Sequence, residues 1–312
     1  MEKRNLSIII AAILVVSLFP LASAGFFDFL KKSPTGKATD ANVNVNVSVT
    51  SGAPVIYDVT PAAALTLTVG PNPTYFHVNF SVNDSDGAAN LVNTSAYANV
   101  SLAGEAARNT TCSIINYGGY HANFSCLITM WWFDGNGDWE IGVNISDQNG
   151  NTASNTTDVQ TVSILHGLEM YPAALSFLTL TPGIYNQTPT NHLYMNNTGN
   201  QDYASTDIEV NGSDLRGETD PGKALWAGNF SASPNSGLSS CDVGAGTATA
   251  LVNMTYTGIV NVVMNKGNYT LDDGTAQEQM YLCLRQVGSD LSQQYYSSNG
   301  PDSLGPWGVQ VT

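Results

Sequence analysis

Apolar and polar residues alternate with a period of two along most of the chain, and helical spacing is scarce. Successive side chains of a strand face opposite ways, so this alternation predicts strands with one buried face. The clearest run is Val43, Val45, Val47 and Val49, with Asn44, Asn46 and Ser48 between them. Pro54-x-Ile56 opens a first series, with strands expected at 65–69, 75–82, 94–102, 111–115, 122–133, 139–146 and 160–165. Turn-forming residues separate them at Asp84-Ser85-Asp86-Gly87, Asp134-Gly135-Asn136-Gly137-Asp138 and Asp147-Gln148-Asn149-Gly150-Asn151. A second series starts near His166, with strands expected at 174–180, 191–196, 205–211, 224–232, 248–256, 279–286 and 308–311. Its turns fall at Pro182-Gly183, Asn197-Thr198-Gly199-Asn200 and Asp272-Asp273-Gly274.

About seven short strands, turns every 8–12 residues and a cysteine pair describe an immunoglobulin-like sandwich. The chain has 312 residues, and domains of roughly 150 residues predict about two of them. The expected fold class is all-β: two tandem immunoglobulin-like β-sandwich domains, at 53–165 and 166–312. A signal peptide at 1–24 and a leader at 25–52, ending in an extended strand, precede them.

The first segment has the pattern of an address. Lys3 and Arg4 are basic, 6–18 is almost continuously apolar, and Ala22-Ser23-Ala24 offers small residues for cleavage before Gly25. This is how a secretory signal peptide is built. If uncleaved, the run from 6 to 27 is about 22 residues and just spans a bilayer. A membrane is therefore expected as a partner only through that segment.

Composition narrows the partners. Ten Lys and Arg against 25 Asp and Glu give a net charge of −15. Phosphate contacts need cations, so nucleic acid is not an expected partner, and anionic lipid headgroups are disfavoured too. Charged residues make up 11% of the chain, against roughly 25% in typical soluble proteins. Asn, Ser, Thr and Gly carry the polarity instead. The four cysteines are Cys112, Cys126, Cys241 and Cys283. An even number in an exported chain predicts disulfides. Three pairings are open, and the simplest puts one in each domain: Cys112–Cys126 and Cys241–Cys283. The Cys-x-x-Cys spacing of a zinc site is absent.

Fifteen Asn-x-Ser/Thr sequons follow the predicted signal peptide. Their asparagines are Asn46, Asn79, Asn83, Asn93, Asn99, Asn109, Asn123, Asn144, Asn155, Asn186, Asn196, Asn211, Asn229, Asn253 and Asn268. On exported proteins such tripeptides are glycan acceptors. Strand parity supports the reading. Phe76, Val78, Phe80 and Val82 share one face, which turns Asn79 and Ser81 outward; Asn144 between Val143 and Ile145, and Asn123 before Phe124, follow the same rule. Dense glycans would replace charge as the source of solubility.

The stretch Val78-Asn79-Phe80-Ser81-Val82-Asn83-Asp84-Ser85-Asp86-Gly87, the pair Cys112 and Cys126, and Trp139-Glu140-Ile141-Gly142-Val143-Asn144-Ile145-Ser146-Asp147 ahead of Gly150-Asn151 resemble the Ig-like modules of archaeal surface proteins. Asn197-Thr198-Gly199-Asn200 and the leader from Phe29 to Val49 are similar to exported proteins of small symbiotic archaea. The resemblance implies an extracellular, glycosylated, non-enzymatic module and carries over no catalytic residue.

Motifs of chemistry are absent. Gly-x-Ser-x-Gly, His-Glu-x-x-His and a phosphate-binding glycine loop do not occur, and His77, His121, His166 and His192 have no nucleophile context. Paired acids for a glycosidase could come from Asp134, Asp138 and Glu140, but turn formation accounts for them better. Asp134, Asn136 and Asp138 also occupy positions 1, 3 and 5 of a calcium loop, yet Trp139 replaces the glycine and Ile145 the glutamate of an EF-hand. A looser structural calcium site remains an expectation there or at Asp84 and Asp86. Trp131 and Trp132 are expected in one strand, facing opposite ways.

These features predict a secreted or cell-surface structural or adhesive glycoprotein, not an enzyme. Its expected partners are other cell-surface proteins or copies of itself. Two alternatives accompany this reading. One is a filament subunit donating the strand at 42–50 to a neighbour's sheet edge. The other is a sugar- or calcium-dependent binding module.

Overall fold

A computed structural model describes residues 46–47, 50–271, 276–300 and 302–312. The signal peptide, its cleavage site and the turn at 272–274 lie outside the described residues. So does most of the leader strand at 42–50; of it, Asn46, Val47 and Thr50 are described, are exposed and belong to no strand.

The regular structure is antiparallel sheet with short 3-10 turns. In the first half the strands are β1 (Val55–Thr60), β2 (Thr74–Asn83), β3 (Tyr97–Ser101), β4 (Arg108–Thr111), β5 (Ser113–Gly118), β6 (His121–Met130), β7 (Gly137–Ser146) and β8 (Thr152–Val162). They form two four-stranded sheets, ordered β1-β2-β6-β5 and β4-β3-β7-β8. The period-two pattern turns Phe76, Val78, Phe80 and Val82 of β2, and Phe124, Cys126 and Ile128 of β6, into the space between the sheets. Val100, Trp139, Ile141, Val143 and Ile145 meet them from the other side. Phe80 pairs with Phe124 across the ladder, and their rings stack at 5.1 Å.

Three expected strands change, for backbone reasons. Residues 65–69 form no strand; Leu65 makes only a single parallel bridge to Val162. β8 begins at Thr152, well before the expected 160, because it pairs as an edge through its backbone with β7 and needs no apolar face there. β6 ends at Met130, not at 133. The Asp134 carboxylate accepts the Trp131 N–H at 2.7 Å and draws 131–134 into a turn, so Trp131 and Trp132 are not strand residues.

The second half contains β9 (Leu168–Tyr171), β10 (Tyr185–Gln187), β11 (Leu193–Asn197), β12 (Ile208–Asn211), β13 (Leu215–Gly217), β14 (Ala224–Leu225), β15 (Phe230–Ser233), β16 (Thr249–Ala250), β17 (Thr257–Gly258), β18 (Gln277–Gln286), β19 (Tyr296–Ser297) and β20 (Gly308–Val311). The main sheet runs β16-β15-β18-β11-β9, with β10 also on β18; β17-β12-β20 and β14-β13-β19 form smaller sheets. Met195, Phe230, Met280, Leu282 and Leu284 of the main sheet pack with Ile208, Val210 and Ile259. The expected strand at 174–180 is a loop whose Leu175, Phe177 and Leu180 lie against this core.

The buried hydrophobics thus divide near Leu165, while Ser51–Thr312 form one compact unit. The junction is bonded. Gly70 N–H donates to Thr198 O at 2.9 Å and Leu165 N–H to Asn200 Oδ1 at 2.7 Å. Lys266 Nζ pairs with Glu105. Trp132, 1% exposed, sits 5.7 Å from Tyr269. The backbones of 165–167 and 198–199 approach so closely that a Cβ on Gly199 would lie 2.2 Å from Leu165 O. Only glycine permits that approach.

Candidate functional surfaces

Both disulfides form, one in each half. Cys112 is the single residue between β4 in one sheet and β5 in the other, so the chain changes sheets there. Its N–H donates to Ala96 O at 2.9 Å, and its sulfur joins Cys126 of β6, the Cα atoms 4.1 Å apart. Cys241–Cys283 ties the 3-10 turn Gly237–Cys241 to β18, the Cα atoms 5.2 Å apart. Such bonds persist in an oxidising compartment. Among the described residues no helix is long and apolar enough to cross a membrane.

The sequon asparagines gather on the outer faces of the first two sheets. Asn79 and Asn83 of β2 and Asn123 of β6 stand on one; Asn99 of β3, Asn109 of β4 and Asn144 of β7 stand on the other. Asn79 and Asn83 are exposed, four residues or about 13 Å apart along the strand. Asn99 and Asn109 are direct cross-strand partners, which sets their Cβ atoms about 5 Å apart. Asn123 is engaged: its Oδ1 accepts from Ser81 Oγ at 2.8 Å and its Nδ2 donates to Asn116 Oδ1 at 2.8 Å. Asn155 and Asn268 take a different geometry. The hydroxyl and N–H of Thr157 both donate to Asn155 Oδ1, and Thr270 does the same to Asn268, leaving each Nδ2 outside the turn. Asn46, Asn93, Asn186 and Asn253 are exposed, and Asn211 and Asn229 half-buried.

Asn196 departs from the expectation. It is 4% exposed. Its Nδ2 donates to Glu169 Oε2 at 3.2 Å and its Oδ1 accepts from Gln277 Nε2 at 2.7 Å. The folded chain has no room for a glycan on that nitrogen.

The calcium candidates are otherwise employed. Asp134, 1% exposed, accepts Arg108 Nε on both oxygens and Arg108 Nη2 on Oδ1, besides the Trp131 N–H. It has no oxygen left for a cation, so Asp134, Asn136 and Asp138 do not form a coordination shell. Asp138 Oδ1 accepts the Thr161 hydroxyl at 2.6 Å. Asp84 is buried and accepts the Asp86 N–H at 2.8 Å, closing its own turn. Asp86 Oδ2 accepts Ser51 Oγ and the Gly52 N–H at 2.6 and 2.9 Å, tethering the entry of the chain into β1. Among the described residues no group of three His, Cys, Asp or Glu is placed to hold a metal ion.

Asp147, which the sequence assigned only to a turn, organises that end of the molecule. Oδ1 accepts the N–H groups of Asn149 and Asn151, and Oδ2 accepts Asn151 Nδ2 and Ser51 Oγ. Burial alone would raise its pKa; the bonds from Asn151, Asn149 and Ser51 outweigh this and hold it below the ordinary carboxylate value.

The histidines do not converge on a serine and an acid. His77 Nδ1 and Ser125 Oγ are hydrogen-bonded at 2.9 Å on the exposed face of the first sheet. His121 lies edge-on to Tyr57, and His166 faces Tyr203. His192, just before β11, packs with Tyr194 of β11 and Tyr281 of β18; its alternation with apolar Leu193 and Met195 was the signal that could have placed it on an outer face. Two shallow hollows, about 420 Å³ beside Cys112 and about 400 Å³ beside Asn144, are lined by no ionisable side chain. No protein-family model matches this chain, and no curated protein matches its sequence.

Proposed function

We propose that this chain is an extracellular, glycosylated structural or adhesive surface protein without catalytic activity. The observation that carries the reading is the outward stance of Asn79, Asn83, Asn109 and Asn144 on the two sheets of one sandwich. For Asn79, Asn109 and Asn144, strand geometry sets the hydroxyl residue of the sequon on the same outer face; Asn83 ends its strand, and its sequon runs into the turn at Asp84. The two disulfides support an exported location. The strand orders β1-β2-β6-β5 and β4-β3-β7-β8 support the finer assignment of the first half to immunoglobulin-like sandwiches, whose sheets are ordered ABED and CFG.

Peptide mapping of the protein from its own membrane and medium fractions tests this. The expected result is glycan on Asn79, Asn83 and Asn144, none on Asn196, and both disulfides intact. Asn99 and Asn109 are not expected to be occupied on the same molecule, because their side chains share one cross-strand site. A chain recovered with free thiols and bare asparagines would refute the proposal.

A further inference from the structure

We propose that the outer face of β9, β11 and β18 binds a neutral oligosaccharide, seating a pyranose ring against Tyr171 and bonding its hydroxyls through the neighbouring side chains. The inference concerns a face whose one sequon asparagine, Asn196, is buried and bonded, and it holds whether or not the other sequons carry glycans.

The strand register assembles the face. Tyr171 pairs with Tyr194, which pairs with Gln279; Glu169 pairs with Asn196, which pairs with Gln277. The residues between them, Leu193, Met195 and Met280, point into the core. Tyr171 and Tyr194 stack at 5.0 Å with planes 11° apart. Tyr171 stands on an edge strand, is 42% exposed, and has one ring face not covered by Tyr194. His192 packs 4.6 Å from Tyr194 and 4.7 Å from Tyr281 with its Nε2 buried, so it backs the rings and does not itself reach a ligand.

Three features select the ligand. The first is the mixture of rings and polar groups. A sugar presents C–H faces that bury against aromatic rings and hydroxyls that need donors and acceptors, and a platform of tyrosine, amide and carboxylate meets both demands. Tyr171 Oη accepts from Gln277 Nε2 at 3.2 Å and keeps its own proton to give. Gln279 Oε1 accepts from Tyr281 Oη, leaving the Gln279 amide N–H groups for a hydroxyl. The second is charge: these side chains include Glu169 and no Lys or Arg, on a chain of net charge −15, which repels phosphates and acidic sugars. The third is contrast with the first half. There the outer face of β2 carries Tyr75 and His77 singly among Asn79, Ser81 and Asn83, whereas here Tyr171 and Tyr194 stack and Asn196 is tied in beside them.

The test is calorimetric titration of the intact, disulfide-bonded chain with N,N′-diacetylchitobiose, cellobiose and mannobiose. It is run on the native protein and on the same chain secreted by a host that adds no glycans. At least one disaccharide is expected to bind the unmodified chain. Tyr171→Ala should weaken that binding about tenfold, the upper end of what one aromatic contact supplies. Tyr171→Phe should retain most of it, and Gln279→Ala should weaken it with an unchanged melting curve. His77→Ala, on the other half, should have no effect. No binding of any of these sugars at about 10 mM, weaker than any affinity of interest here, or wild-type affinity in Tyr171→Ala, would overturn the inference. Bare asparagines on the native protein would refute the glycoprotein reading and leave this one standing.

Discussion

Single side chains decide what the turns of this protein do. Asp134 looks in the sequence like the first oxygen of a cation loop. In the fold it is a buried anion whose charge is met by Arg108, with both oxygens bonded. Removing one partner of a buried ion pair strands the other without water. Arg108→Ala is therefore expected to lower unfolding free energy by about 3 kcal/mol, read from urea melts. Asp147 offers a pH test. Its pKa in the folded chain lies below its ordinary value, which is about 3.9 in an unfolded chain. Its contribution to stability is then full above about pH 4 and is lost as pH falls through the folded value. Asp147→Asn should show a smaller drop in melting temperature between pH 4 and pH 2 than the parent chain; an equal drop would mean that other carboxylates carry the acid sensitivity.

Strands and turns act through their edges and faces. Parity along β2, β6 and β7 was legible from alternation alone, and it placed the outward asparagines there. Alternation did not reveal the first part of β8, where Thr and Asn residues pair through backbone with no apolar face to mark them. The opposite failure occurs at 174–180, whose apolar residues pack as a loop. Hydrophobicity reports burial, and only pairing makes a strand. One disulfide holds the place where the chain changes sheets at Cys112, and the other ties the 3-10 turn ending at Cys241 to β18. Replacing Cys112 and Cys126 by serine closes no loop of 14 residues' separation, and Cys241 with Cys283 none of 42. The chain-entropy account predicts losses of about 3 and 4 kcal/mol, measured in guanidinium. A larger loss for the first pair than the second would point to native-state geometry at Cys112 instead.

Across the whole molecule, the junction matters more than a domain boundary drawn in sequence. The expected division at 165–166 falls where two cores meet, and the contact between them is built from buried backbone, Trp132, Tyr269 and the Lys266–Glu105 pair. Burial, together with the neighbouring charge of Glu169, raises the pKa of Tyr269. The parent chain is expected to unfold in one calorimetric transition. Trp132→Ala removes the largest side chain of the contact, a change that costs about 3–5 kcal/mol in a core. It should split the transition in two, one for each half; a single transition shifted downward would place Trp132 in one core only.

Alternation, turn residues and cysteine number were sufficient to establish an all-β chain with a disulfide in each half, because these depend on neighbours a few residues apart and on counting. Which asparagine faces water, which aspartate is already spent on an arginine, and which tyrosines pair across neighbouring strands depend on register between segments far apart in the chain. Asn196 shows the difference: its tripeptide is indistinguishable from the other fourteen, and only the approach of Glu169 and Gln277 from two neighbouring strands takes its amide out of reach.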